Sequence, residues 1–246
     1  MVYRRIQQAR SDNRPMFALL IDPDRHTPES LVSSVNAAVG AGVDLLLLGS
    51  SILLENGTAE AAKSIKSVCD LPVVLFPGHG MQVTNEAHAL LFLSLISGRN
   101  PDLLIGQHVH VAPSIKRSGL ETIPTGYMLI DSGAPTSASY MSQSAPIPHD
   151  KDDIAAATAM AGELLGMKTI YLDAGSGARF AVRESMIAKV RTSVNLPLIV
   201  GGGLRSAEQV SRACEAGADM VVVGNSVEKD PDSLFDLTAP IRASYR

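Results

Sequence analysis

The chain has 246 residues, 46% of them hydrophobic and 19% charged, with a net charge of −4. This composition supplies one large core and excludes a disordered chain, a coiled coil and a collagen-like rod. The acidic balance argues against a nucleic-acid binder of the basic-patch kind, so a phosphate site would have to rest on backbone amides or a metal.

Residues 1–15 are polar and basic with no apolar stretch, which excludes a secretory signal. The greasiest runs, 45–48 and 89–96, are too short to cross a bilayer. Cys69 and Cys214 lack metal-ligand or redox-motif spacing. They read as small hydrophobes in a reducing compartment, so a cytoplasmic protein is expected.

The first strand is expected at 16–21 and is followed by a helix at 28–41, with Thr27 as its N-cap and Pro28 at the first helical position. A strand at 43–48, a helix at 58–69 and strands at 72–76 and 90–96 follow. A segment beginning Asn100-Pro101 holds the helix after the fourth strand, and 122–130 reads as the fifth strand. Residues 132–149, rich in Ser, Ala and Pro, read as a long loop that covers the site or makes a subunit contact. Helices at 152–165, 179–194, 206–216 and 232–243 then alternate with strands at 169–172, 197–200 and 220–223. Ser206 and Gln209 have capping-box spacing. Ala41-Gly42-Val43-Asp44 and Ala216-Gly217-Ala218-Asp219 form a weak repeat in which Gly ends a helix.

The apolar runs are continuous rather than alternating, as in parallel strands covered on both faces. Eight of them alternating with helices predict a single-domain α/β chain, 1–246, folded as a (β/α)8 TIM barrel; a doubly wound sheet is the alternative.

The active face of such a barrel lies at the carboxyl ends of its strands. Strands six, seven and eight end in Asp173-Ala174-Gly175-Ser176-Gly177-Ala178, Gly201-Gly202-Gly203 and Gly224-Asn225-Ser226. Together these Gly-rich turns predict a phosphate cradle of backbone amides, to which Arg205 can add charge. Strand one ends in Asp22-Pro23-Asp24 and strand two in Gly49-Ser50-Ser51. The Asp22 and Asp24 pair, joined by the Ser51 hydroxyl, offers oxygen ligands for Mg²⁺; an Asx turn with helix-start electrostatics for the carboxylates and a helix cap for Ser51 are the alternatives. Asp173 is placed to orient or deprotonate a substrate hydroxyl, and Tyr171 points to the same side, where core packing is its alternative role. His79 is on an active-face loop. His108-Val109-His110 resembles the HxH of metal-dependent hydrolase barrels but does not follow strand one, where that chemistry requires it. There is no nucleophile elbow, Walker motif or GxGxxG.

Five segments in chain order resemble the geranylgeranylglyceryl phosphate synthase family, which includes heptaprenylglyceryl phosphate synthases. They are Leu20-Ile21-Asp22-Pro23-Asp24, Gly49-Ser50-Ser51, Tyr171 to Ala178, Val200-Gly201-Gly202-Gly203-Leu204-Arg205-Ser206 and Val222-Val223-Gly224-Asn225-Ser226-Val227. The resemblance implies a Mg²⁺-dependent prenyltransferase that joins the 3-hydroxyl of sn-glycerol 1-phosphate to C1 of a polyprenyl diphosphate. It implies that Asp22 and Ser51 hold Mg²⁺, which neutralises the leaving diphosphate. It implies that Tyr171, Leu172, Asp173, Ala174, Gly175, Ser176, Gly177, Gly202, Gly203, Gly224 and Asn225 hold the glycerol phosphate, with Asp173 accepting the hydroxyl proton.

Two departures from the family pattern stand out. The strand-six motif commonly reads Tyr-Leu-Glu, and Asp173 is one methylene shorter. Shorter bacterial relatives carry a Lys where Leu20 stands. The missing Lys, the Gly-Ser-Gly-Ala loop and Ser97-Gly98-Arg99-Asn100-Pro101 look more like the archaeal-type group, which implies geranylgeranyl diphosphate. The tail is expected in an apolar groove along the rim, with Phe76, Leu91 and Tyr127 as lining candidates, and Asp24, His79 and Arg99 stay open as diphosphate contacts. A homo-oligomer, dimer or higher, is implied, with no nucleic-acid partner and at most transient membrane contact to deliver product. The alternatives are another prenyl length, a phosphate-handling isomerase or synthase of the thiamin, histidine or tryptophan pathway type, and a non-catalytic barrel that binds phosphorylated metabolites. No Lys ends strands one to three, which counts against the isomerase or synthase.

Overall fold

The computed structural model describes residues 1–55, 57–230 and 233–243, without the side chains of Glu228 and Lys229. Eight parallel strands close into a barrel in chain order: β1 (Met16–Ile21), β2 (Leu45–Leu48), β3 (Val73–Leu75), β4 (Ala89–Leu95), β5 (Glu121–Leu129), β6 (Thr169–Asp173), β7 (Leu198–Gly201) and β8 (Met220–Val223). Every expected strand is present, with ends moved by a residue or two.

The continuous apolar runs follow from two buried faces. Phe17, Leu19 and Ile21 pack outward against helices, while Met16 and Ala18 share the barrel interior with Leu45, Leu47, Val74, Leu91, Tyr171, Ile199 and Val222. Helix α1 (Val2–Ser11) buries Val2, Ile6 and Ala9 in that interior cluster. It closes the amino-terminal end of the barrel. The Glu121 carboxylate at the start of β5 accepts from the N–H groups of Val2 at 2.6 Å and Tyr3 at 3.0 Å, which satisfies the helix start. Burying an aliphatic side chain of this size is worth about 1.5–3 kcal/mol.

Helices α2 (Pro28–Ala41) and α3 (Thr58–Val68) follow β1 and β2. The Thr27 hydroxyl accepts from Ser30 N–H, as its N-cap role predicts. Between β3 and β4 the described chain makes only a 3₁₀ turn, Gly80–Gln82, so this part of the barrel wall has no covering helix. After β4 a π-helical turn, Asp102–Gly106, runs into α4 (Gln107–Ser118).

The expected long loop after β5 contains a short helix, α5 (Ser137–Ser142), started by a Thr136–Ser139 capping box. It is followed by α6 (Asp152–Leu164). Helix α7 (Glu184–Ser193) begins later than expected, because the N–H groups of Arg179 and Phe180 turn back to the Ser132 carbonyl. Helix α8 (Ala207–Glu215) has Ser206 as N-cap, but the Gln209 side chain accepts from Arg205 N–H, one residue outside a capping box. Helices α9 (Asn225–Lys229) and α10 (Ser233–Ala243) end the described chain, and the expected helix start at Asp232 lies outside the described residues.

The repeated Ala-Gly-x-Asp turns have a common job. Gly42 and Gly217 take positive φ. Asp44 then accepts from Phe17 N–H and Asp219 from Leu198 N–H, each at 2.8 Å on the preceding strand. Two carboxylates thus pin strand register at the floor.

Candidate active site

The three Gly-rich turns converge at the carboxyl ends of β6, β7 and β8. Gly175, Gly177, Gly202 and Gly203 all have positive φ. At Gly202, with φ +79°, a Cβ would lie 2.5 Å from Gly175 N and 2.8 Å from Asp173 Oδ1, so only Gly fits there. The Asn225 amide donates to the Ser176 hydroxyl at 2.7 Å and ties the β8 end to the β6 loop. Arg205 donates to the Ala178 carbonyl, which turns its guanidinium toward the same loop. Thr136 leans over Gly175. The segment after β5 therefore covers the site, one of its two expected roles. The result is a cluster of peptide-rich turns at one end of the barrel, suited to a small anion.

Asp173 and Tyr171 face inward, as the alternation of β6 requires. The side chain of Leu172 faces the opposite way, into the core beneath the helices, and Ala174 is buried in the same layer. Asp173 is 7% exposed. Its carboxylate accepts from Gly175 N–H at 2.7 Å and from the Tyr127 hydroxyl at 2.5 Å. Burial pushes the Asp173 carboxyl up from its ordinary value, opposed by these two hydrogen bonds. Burial and the Asp173 charge hold the phenols of Tyr127 and Tyr171 well above theirs, so both stay protonated. Tyr171 is also a core residue: its ring stacks on Phe76 at 5.3 Å and meets Tyr127 edge-on at 5.5 Å.

Across the mouth, Asp22 caps the 3₁₀ turn Pro23–Arg25 by accepting from Asp24 N–H. Its other oxygen accepts from the Ser50 hydroxyl at 2.9 Å and lies 3.3 Å from the Arg25 guanidinium. Ser50 thus makes the contact with Asp22, and Ser51 is the next residue of the same turn. Asp24 accepts from Leu54 N–H at 2.5 Å and holds the loop after β2. The turn is clamped by buried Gln82, which accepts from Ser50 and Gly78 N–H and donates to the Ser50 carbonyl. It needs Gly49, where a Cβ would lie 1.9 Å from the Phe76 carbonyl. No group of three or more His, Cys, Asp or Glu side chains that could hold a metal converges among the described residues. One carboxylate with Ser hydroxyls is nevertheless an all-oxygen donor set. It suits Mg²⁺, which keeps several waters and binds through one or two carboxylates plus substrate phosphates.

From the Ser50-Ser51 turn to Tyr127 runs a cavity of about 720 Å³. Phe76, Leu91 and Tyr127, the three expected groove residues, all line it. It reaches from the barrel interior over β3 and β4, along the stretch with no covering helix, to α4 and α5.

The remaining candidates take structural roles. His108 is buried, bonds the Leu93 carbonyl at 2.7 Å and meets the Phe92 ring edge-on, while His110 is exposed. The two do not form a pair on one ion. His79 lines the cavity, but its Nδ1 accepts from Met81 N–H and caps a turn. Arg99 donates to the Gly98 carbonyl. Burial pushes the Cys214 thiol up to about 12, which suits the packing role expected of it.

The model of the PcrB family matches residues 7–240. The chain belongs to the PcrB family. Among PcrB-like relatives, the geranylgeranylglyceryl phosphate synthase of Chitinophaga pinensis is 53% identical over 228 residues, 93% of this chain and 90% of that protein. The enzyme of the same name from Methanosphaera stadtmanae is 44% identical over 214 residues, 87% of each chain. Among solved structures, the (S)-3-O-geranylgeranylglyceryl phosphate synthase of Thermoplasma acidophilum, in complex with its substrate sn-glycerol-1-phosphate, superposes with a TM-score of 0.93. That structure is 28% identical and covers 99% of both chains.

Sequence reasoning missed three members of this PcrB-family site. From the sequence Tyr127 reads only as groove lining, and no local pattern singles out Ser50 or Gln82. The approach of Tyr127 to Asp173 depends on the β5–β6 register, in which Tyr127 pairs with Tyr171 and Leu129 with Asp173. No local pattern carries that register.

Proposed function

We propose that this chain is a geranylgeranylglyceryl phosphate synthase. It forms an ether bond between the 3-hydroxyl of sn-glycerol 1-phosphate and C1 of geranylgeranyl diphosphate and releases diphosphate. The observation that carries the reading is the near-complete match to the Thermoplasma acidophilum enzyme bound to this phosphoester. The peptide-lined ends of β6, β7 and β8 support it.

The phosphate sits among Gly175, Ser176, Gly177, Gly202, Gly203, Gly224 and Asn225, held mainly by peptide groups. Leu172 and Ala174 contribute only backbone, because their side chains face the core. Holding the phosphate at one end brings the 3-hydroxyl to Asp173, and the reacting atoms must come within about 3–3.5 Å. Asp173 accepts the hydroxyl proton, while Tyr127 holds the carboxylate in place and walls the prenyl cavity. Asp22, with the hydroxyls of the Gly49-Ser50-Ser51 turn, would hold Mg²⁺, which when bound neutralises the charge that builds on the leaving diphosphate. The apolar cavity excludes water from the allylic carbon. The reading includes a cytoplasmic homo-oligomer, checked by cell fractionation and light scattering.

The direct test is incubation with sn-glycerol 1-phosphate, Mg²⁺ and prenyl diphosphates from C15 to C35, followed by extraction of the product. The C20 substrate is expected to give the fastest alkylation. Failure with every chain length overturns the proposal, and preference for another length corrects the donor.

A further inference from the structure

The apolar cavity does not stop at its mouth. Ile52 and Leu54 on the loop after β2, Met81 on the loop after β3 and Met141 on α5 all line it and are also open to solvent. Leu54 is 85% exposed and Met81 70%, and Tyr140, beside Met141, is 80% exposed. Segments far apart in sequence therefore bring large apolar side chains to one rim, continuous with an apolar path into the barrel. Leu164, at the end of α6, is equally exposed at 88%, but it lies at the opposite end of the barrel and lines none of this cavity.

We infer that this rim is a membrane-docking surface, seated at the headgroup boundary of the near leaflet of a lipid bilayer, from which the prenyl diphosphate enters and to which the product returns. The inference rests on the proposed function, because a long prenyl chain is what requires such a route. Each methylene moved from lipid to water costs about fourfold in partition, so a C20 chain crosses water poorly. A partner protein could bury the rim but would have no use for a path into the barrel. Net charge of −4 and the exposed Glu55 beside Leu54 supply no attraction to an anionic surface. Docking is thus by shallow apolar contact and is reversible.

The chain contains no Trp, so one introduced Trp reports its own surroundings. With substrate-free phosphatidylcholine vesicles, the emission of Leu54→Trp should shift to the blue and be quenched by brominated lipid. Leu164→Trp should not respond. In co-sedimentation the unaltered chain should partition onto the vesicles at least about tenfold better than a Leu54→Asp, Met81→Asp double variant whose circular dichroism is unchanged. Equal responses at the two Trp positions, or no response at Leu54→Trp, would overturn the inference. So would a Leu54→Trp shift that grows with protein concentration in the absence of vesicles, which would assign the rim to a second copy of this chain. Because these vesicles hold no substrate, the result is independent of turnover measured with detergent-dispersed prenyl diphosphate.

Discussion

The Tyr127 hydroxyl donates to the Asp173 carboxylate across 2.5 Å, and this bond joins the two halves of the site. Tyr127 belongs to the wall of the apolar cavity. Asp173 lies against Gly202 among the Gly-rich turns. In the proposed reaction the carboxylate that takes the glycerol proton is thereby tied to the wall of the cavity that would hold the prenyl chain.

Removing this bond should change the pH dependence as well as the rate. The Tyr127 hydroxyl opposes the upward push of burial on the Asp173 carboxyl. In Tyr127→Phe the carboxyl therefore titrates higher still, and the acid limb of kcat/KM moves to higher pH. Loss of a hydrogen bond to a charged group, about 1.5–3 kcal/mol, corresponds to a rate loss of roughly 10–100-fold. A pH–rate profile checks both, and an unmoved acid limb would remove Tyr127 from this role.

Asp173→Asn should separate stability from activity. The Asp173 carboxyl titrates higher in the fold than in the unfolded chain. Its contribution to stability is therefore full below the unfolded value and is lost as pH rises through the folded one. At neutral pH the Asn variant, which can still accept from Gly175 and donate to Tyr127, should melt above the parent, and the gap should close on acidification. Turnover should fall by about 10²–10⁴-fold with loss of the base. Thermal melts across pH and a steady-state assay test the two halves separately.

Gly202→Ala tests the cradle. The new Cβ would press on Gly175 N and Asp173 Oδ1 at a φ of +79°. A cost of about 2–3 kcal/mol is expected, with Tm lower by roughly 5–10 °C. Calorimetry with sn-glycerol 1-phosphate should show affinity lost, because the β6 and β7 ends are forced apart. Unaltered affinity would move the phosphate elsewhere.

Asp22 sits on the other side of the mouth and should respond differently. Asp22→Asn, which keeps an acceptor for Asp24 N–H, and Asp22→Ala should both lose turnover while binding glycerol phosphate nearly as the parent does. Chelation of the parent enzyme should abolish turnover, and added Mg²⁺ should restore it. Full activity of Asp22→Asn, or of the chelated parent, would remove the metal role.

Much of this arrangement is legible in the chain itself, and the illegible parts share a cause. The strands announce themselves because both faces are buried, so runs such as Leu45–Leu48 need no polar alternation. The glycines after β6 and β7 mark their turns because positive φ and, at Gly202, close backbone approach admit little else. Helix α1 leaves little trace in the sequence although Val2, Ile6 and Ala9 fall on one face, since so short an apolar stripe is helical only with the barrel floor to cover it. Contact of Ser50 rather than Ser51 with Asp22 depends on which way a tight turn rolls. The hydrogen bond from Tyr127 to Asp173 depends on register across neighbouring strands, and both are settled by tertiary packing.

The bare stretch of wall between β3 and β4 makes head recognition and tail accommodation separable traits. In the proposed reading the polar grip is built from the ends of β6, β7 and β8, whereas the cavity that would take the tail opens where the barrel lacks a helix. On the proposed reading, the segment between β3 and β4, Gln82 apart, is therefore open to remodelling for longer or shorter lipids while the glycerol end is inherited intact.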